Sequence, residues 1–169
     1  MKREYAYRLA GHSDVKQLQI LGLMAYGQFK PILSTENWET WEEGFNSDTN
    51  FSNLIDIGTC FVCEYENDII GMAFLIPAGN PFLYFQEDWS YIRYVGVHPG
   101  HEGKGVGRIL TQKCIDEATL KGESVIALHT SEFQDAARHV YEGLGFEKQR
   151  EFSVYDKRYW IYTRLLDIS

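Results

Sequence analysis

The stretch Tyr94-Val95-Gly96-Val97-His98-Pro99-Gly100-His101-Glu102-Gly103-Lys104-Gly105-Val106-Gly107-Arg108-Ile109-Leu110 decides how the rest of the chain is read. An apolar strand over Trp89–Val97 runs into Pro99, which cannot donate to a sheet ladder and ends it. Three glycines follow at alternate positions, 103, 105 and 107. They open a helix that the spacing predicts over Gly103–Leu120, with Ile109, Leu110, Cys114, Ile115 and Ala118 facing inward. Glycine there tolerates positive φ and lets a bound group approach the main chain. The first amides of a helix have no internal partner and sit at the positive end of its dipole, so this junction is an anion cradle. Lys104 and Arg108 add positive charge beside it.

What is missing narrows the anion. Gly105 follows Lys104 where a Walker motif needs the Ser or Thr that holds Mg²⁺. The dinucleotide pattern G-x-G-x-x-G fails because residue 108 is arginine, and the junction follows a fourth strand, not a first. A pyrophosphate held without a metal ion fits better.

Outward from the junction, Tyr5–Ala10 alternates as a first strand, and Ser13-Asp14 starts a helix carrying Leu18, Ile20, Leu21, Met24 and Phe29 that Pro31 closes. A second helix over Thr35–Phe45 aligns Trp38, Trp41 and Phe45, with Glu39, Glu42 and Glu43 opposite or flanking. Thr59–Tyr65 and Ile69–Ile76 form a hairpin turned at Glu66-Asn67-Asp68. After the glycine junction come a buried strand Val125–His129, a helix Gln134–Leu144, and strands Phe146–Tyr155 and Trp160–Leu166. The order βααβββαβαββ predicts an α/β (α+β) fold, one sheet with helices on its faces.

The chain has 169 residues and a mass of 19.6 kDa, a length for one domain over 1–169 with a real core. Hydrophobic residues at 44% and charged residues at 24% exclude a disordered or fibrous chain. A net charge of −8 argues against a nucleic-acid partner. The longest apolar run, Ile69–Ile76, is too short to span a bilayer, so no membrane partner is expected. Met1-Lys2-Arg3-Glu4-Tyr5 carries no apolar segment of a secretory signal. With three cysteines, this predicts a reducing, cytoplasmic setting. Cys60 and Cys63 sit at i and i+3 of a strand, so their thiols diverge, and buried packing is the expectation. His98-x-x-His101 has no third ligand nearby in sequence, so no metal is expected. Charge is uneven: positions 31–92 hold eleven acids and no Lys or Arg. That asymmetry suggests one lobe for an anion and another for a cation.

Val97-His98-Pro99 followed by Glu102-Gly103-Lys104-Gly105-Val106-Gly107 resembles the acetyl-coenzyme A motif of GNAT-type N-acetyltransferases, Arg/Gln-x-x-Gly-x-Gly/Ala. Ala137-Arg138-His139-Val140-Tyr141-Glu142-Gly143-Leu144-Gly145-Phe146 is similar to that family's A-x-x-x-Y-E-x-x-G-F segment. The element order agrees along nearly the whole chain. The resemblance implies a mixed, mostly antiparallel sheet of about seven strands with about four helices, splayed at the cofactor site. It also implies acetyl-coenzyme A as co-substrate and a small-molecule or peptide amine as acceptor. Two positions depart from the pattern. Glu102 replaces the Arg or Gln, and its carboxylate is expected to turn to solvent; Gln134 replaces the usual Asn.

Carried over residue by residue, the main chain of Val95, Gly96 and Val97 holds the pantetheine arm like an added strand. Gly103, Lys104, Gly105, Val106, Gly107 and Arg108 hold the pyrophosphate, and Gln134 adds an amide. The Val97 N–H polarises the thioester, and Tyr141 is the general acid for the departing thiolate. The base is open among Glu87, Asp88, His129 and a water relay. Trp38, Trp41 and Phe45 with nearby acids read either as core or as an aromatic–anionic pocket for a cationic amine. A protein acetyltransferase acting on an α-amine or Lys, and a coenzyme-binding module without catalysis, are the competing readings. Many family members pair through terminal strands, and Tyr155, Tyr159, Trp160 and Tyr162 offer such a homodimer contact.

Overall fold

In β3 (Asp68–Ile76) every residue after Asp68 is buried, because helices cover both faces of the sheet at its centre. The computed structural model describes residues 4–82 and 84–167. Around β3 lie β1 (Ala6–Leu9), a 3₁₀ turn His12–Asp14, α1 (Val15–Gly27), α2 (Thr35–Asn46), α3 (Asn50–Ile57) and β2 (Thr59–Tyr65). Then follow β4 (Ser90–Val97), α4 (Val106–Leu120), β5 (Val125–Ser131), α5 (Asp135–Gly143), β6 (Glu147–Val154) and β7 (Lys157–Leu165). The seven strands run in the order β1-β2-β3-β4-β5-β7-β6, antiparallel except for the β4–β5 pair. The expected fold class is the observed one, with five helices instead of about four.

The extra helix is α3. Four of its eight residues are Asn, Ser or Asp and two are Ile, around buried Phe51 and Leu54, a composition of mostly poor helix formers held by packing. One other expectation fails at the surface. Ile109, expected inward, is 42% exposed, because α4 buries a narrower stripe than its apolar content suggests, and Ile20 and Met24 of α1 also face outward. The hairpin turns on Glu66 and Asn67, with φ of 52° and 70°, and β6 and β7 turn the same way on Tyr155 and Asp156.

Each face of the sheet has its own core. Leu110, Cys114, Ile115 and Tyr141 of α4 and α5 pack on one, and Leu18, Leu21, Phe45 and Phe51 of α1 to α3 on the other. Cys60 and Cys63 fall on opposite faces, as strand alternation requires. All three cysteines are free and buried, and burial pushes the Cys60 thiol up to about 12 and raises Cys63 and Cys114 too. The aromatic tail is mostly interior. Tyr159 and Tyr162 are buried, and Arg138 and Lys148 lie over the Trp160 ring. Of the four residues offered for a dimer contact, Tyr155 and Trp160 stay half-buried at the surface.

Candidate functional site

β4 and β5 pair only at Ser90–Tyr91 against Ile126–Ala127, and beyond that they part. The hydroxyl of Ser90 donates to the Val125 carbonyl at 2.7 Å and pins the closed end. The strands part where β4 carries a bulge. Met72 faces Gly96 while Phe74 faces Arg93, which leaves one extra residue on β4. Tyr94 takes up the slack at φ 54°, a left-handed conformation that costs a non-glycine residue about 1–3 kcal/mol. Its surroundings hold it there. The ring meets Phe51 at 5.2 Å and Phe45 at 5.7 Å, and its oxygen accepts from Asn50 Nδ2 and Arg93 Nη2, both at 3.1 Å. The helix α3, hidden in the sequence, thus supplies two of the groups that clamp the bulge.

Past the bulge, the His98 amide donates to the Ile70 carbonyl at 2.7 Å. Strand alternation then turns the Val97 N–H to the open edge. The Val95 carbonyl accepts from the Tyr26 hydroxyl at 3.2 Å. Gly96 also packs closely: a Cβ there would lie 3.2 Å from Met72 Cε and 3.4 Å from Ala25 Cβ, so the glycine lets α1 and β3 approach the strand.

The junction itself is a 3₁₀ turn, Pro99–His101, followed by a left-handed entry into α4. His98 Nδ1 accepts from the Gly100 amide at 2.9 Å, and His101 Nδ1 pairs with the Tyr5 hydroxyl at 2.9 Å, so both histidines hold the turn. Gly103 and Gly105 have φ of 74° and 82°. Gly107 does not: it lies inside α4, which begins three residues later than the spacing predicts. The Gly105 carbonyl accepts from the Ile109 amide at 3.0 Å. Among the described residues, no backbone acceptor takes the amides of Val106, Gly107 and Arg108. Lys104 and Arg108 are exposed beside them. Glu102 is exposed as expected, but it is tethered: its Oε1 accepts from Gln28 Nε2 at 3.0 Å. These amides and cations fit a diphosphate.

A cavity of about 410 Å³ fills the wedge between the parted strands, a volume suited to a small molecule. Tyr141 reaches it from α5, and burial beside Cys114 raises its hydroxyl above the usual phenol range. Gln134 lines it too, but its Oε1 accepts from Thr130 Oγ1, the Ser131 amide and Ser131 Oγ at 3.2, 3.1 and 2.6 Å. That carbonyl closes the β5–α5 turn, which leaves the Nε2 side for a ligand. Of the base candidates, Glu87 and Asp88 are exposed outside the cavity. His129 lines it among aromatic rings, and burial with the Arg93 charge lowers its imidazole to about 4.

The aromatic–anionic pocket is corrected. Trp38 is buried in the core, and only Trp41 and Phe45 of the three line the cavity. None of the acids from 31–92 does, because Glu39 and Glu43 point to solvent along the outer side of α2. Among the described residues the one charged lining residue is Arg93, which the sequence presents only as a strand position without a carboxylate. Its guanidinium stacks 4.5 Å from the Phe82 ring centre and 4.7 Å from that of Tyr94.

The Acetyltransferase (GNAT) family model matches residues 28–146, well over half of the chain. N-acetyltransferase 8B of Homo sapiens is 29% identical over 123 residues, covering 72% of this chain and 51% of that protein. The L-amino acid N-acyltransferase MnaT of Escherichia coli (strain K12) is 42% identical over 52 residues, covering 31% of this chain and 30% of that one. The chain spans about half the length of the curated relatives it matches. In fold it is similar to the PaiA N-acetyltransferase of Thermoplasma acidophilum, solved in complex with coenzyme A. The TM-score is 0.78 at 15% identity, over 96% of this chain and 99% of that one.

Proposed function

The chain belongs to the acetyltransferase (GNAT) family, and we propose that it moves an acetyl group from acetyl-coenzyme A to the primary amine of a small molecule. One observation carries this reading. A single strand edge, β4 beyond its bulge, runs from the cavity reached by Tyr141 to the partnerless amides of Val106, Gly107 and Arg108. A cofactor with a diphosphate at one end and a reactive thioester at the other matches that layout.

In this reading the amides of α4's first turn, with Lys104 and Arg108, take the diphosphate, and the main chain of Val95 and Val97 along the open edge takes the pantetheine arm. The Val97 N–H polarises the thioester carbonyl, a contribution whose loss elsewhere costs about 10²–10³ in rate. The acceptor nitrogen bonds to the acetyl carbon as the carbon–sulfur bond breaks. Tyr141, kept protonated by burial, gives its proton to the departing sulfur. The amine's proton goes to water, since no carboxylate lines the cavity among the described residues and His129 is a weak base.

A concave wedge of about 410 Å³ supports a small acceptor over a protein surface, and the Escherichia coli relative's name, an L-amino acid N-acyltransferase, points the same way. Three buried free thiols support a reducing, cytoplasmic setting. Among the described residues, no helix is long and apolar enough to cross a membrane. Calorimetry with coenzyme A, and thiol release from acetyl-coenzyme A over an amine panel, test the proposal. Binding with amine-dependent release is expected; a protein that binds no coenzyme A overturns it.

A further inference from the structure

We propose that Arg93 receives a carboxylate of the acceptor, which makes the acceptor an α-amino acid, or a close derivative of one, with a large apolar side chain. The inference rests on the acetyl-transfer reading and deepens it.

The first argument is charge. The protein carries −8 overall, yet among the described residues the cavity's one charged lining residue is a cation. Among the described residues no carboxylate forms an ion pair with Arg93. Its ring contacts and its bond from Nη2 to the Tyr94 oxygen hold the guanidinium plane in place. The remaining N–H groups form the fork that suits a carboxylate. A polyamine would meet this like charge with no carboxylate in the lining to offset it.

The second argument is unmet hydrogen bonding. Tyr159 Oη and His129 Nδ1 are buried, without a partner among the described residues, and both residues line this cavity. Native proteins rarely leave such atoms bare, and each calls for a group not drawn from the fold. Tyr159 is a donor, and the neutral imidazole donates from Nδ1 in one of its tautomers. Arg93, Tyr159 and His129 together make a set of donors, and an anionic oxygen group satisfies donors. His129 stays neutral to about pH 4, so the cavity keeps one positive charge at physiological pH.

The third argument is shape. The other walls are largely rings: Tyr26, Trp41, Phe45, Phe82, Tyr84 and Tyr155. They suit a flat apolar side chain. The reaction itself requires an amine within reach of the open β4 edge. A carboxylate at Arg93, an amine near Val95 and an apolar body among the rings describe an amino acid.

Matched acceptor pairs test this. Thiol release is measured with phenylalanine against 2-phenylethylamine, tyrosine against tyramine, and tryptophan against tryptamine. At least one amino acid is expected to exceed its amine in kcat/KM by about 10²-fold or more. In Arg93→Met that ratio falls toward unity, and in Arg93→Lys, which keeps the charge without the fork, part of it survives. Coenzyme A affinity, read by calorimetry, stays at the wild-type value in both. Amines that match or beat their amino acids overturn the inference and leave acetyl transfer standing. So does coenzyme binding without turnover of any carboxylate member. A loss of coenzyme A affinity in Arg93→Met assigns the anion to the coenzyme and overturns it as well. Wild-type protein that binds no coenzyme A sinks the reading underneath.

Discussion

Gly71 of β3 lies so close to Val106, the first residue of α4, that a Cβ on the glycine would sit 2.8 Å from Val106 Cγ1. Leu110 Cδ1 would lie 3.0 Å away, and both side chains are fully packed at 1% and 0% exposure. The anion cradle is therefore set on the sheet at one glycine's depth. Gly71→Ala must lift the first turn of α4 off β3. Overpacking of this kind costs about 1–3 kcal/mol. Coenzyme A affinity is expected to fall about tenfold or more, since the amides of Val106 to Arg108 move with the turn. Denaturant unfolding and calorimetry check the two effects together. An unchanged Kd would mean that those amides do not hold the coenzyme.

Glu102 stands beside the same amides, held by Gln28. A carboxylate there opposes a bound diphosphate across solvent, where a single exposed charge contributes about 0.2–1 kcal/mol. Glu102→Gln keeps an acceptor for Gln28 and removes the charge. Its Kd for coenzyme A is expected to tighten about two- to fivefold at low salt, and the gain to shrink as salt screens it. Equal affinities at low salt would place Glu102 too far from the phosphates to matter.

Tyr141→Phe separates chemistry from binding. The ring packs at 6.0 Å from Phe146, and phenylalanine fills the same space. We expect kcat to fall by about 10²-fold, the lower range for general acid catalysis, with coenzyme A affinity unchanged. Burial raises the hydroxyl's pKa, so no loss of rate from its ionisation is expected below pH 10. A variant with wild-type kcat would show that water protonates the leaving thiolate.

The junction was legible because its signals are local. Glycine spacing, a strand-breaking proline and flanking cations are all carried by neighbouring residues, and the structure needed only to shift the helix start past Gly103 and Gly105. The hairpin at Glu66-Asn67 was legible for the same reason. The acceptor side was not. The run of acids over 31–92 suggested an anionic pocket, but a helix shows only one face to a cavity, and α2 turns Trp41 inward and Glu39 and Glu43 outward. Arg93 had no sequence signal, because its place in the cavity follows from the β4 bulge. That bulge depends on Tyr94 meeting Phe51 and Asn50, more than forty residues earlier in the chain. Of the helices in the fold's first half, α3 was missed because packing, not propensity, holds it. Gln134 was half legible: its amide was expected near the coenzyme, and its carbonyl instead closes its own turn.

His129 gives the pH prediction with the clearest sign. Its imidazole is buried among Phe82, Phe85 and Tyr159, and burial first, then the Arg93 charge, lowers it from 6.5 to about 4. The unfolded chain takes up this proton near 6.5, whereas the folded chain resists it until about 4. Between those values the unfolded state binds more protons, so stability rises with pH and is lost as pH falls from 6.5 toward 4. The full difference is on the order of 3 kcal/mol. The Asp14 carboxyl, lowered by its bonds from Arg8, begins to add its own loss below about pH 5, but it does so equally in a protein with or without the imidazole. In His129→Phe, a ring of similar size that cannot titrate, the unfolding free energy should therefore change less between pH 7 and pH 4.5 than in the wild type. The same neutrality means that kcat/KM shows no inflection near pH 6.5 that disappears in His129→Phe. Parallel stability curves for the two proteins would show that the imidazole is hydrated and not sealed in the wedge, and a shared site with the acceptor would then have to be built without it.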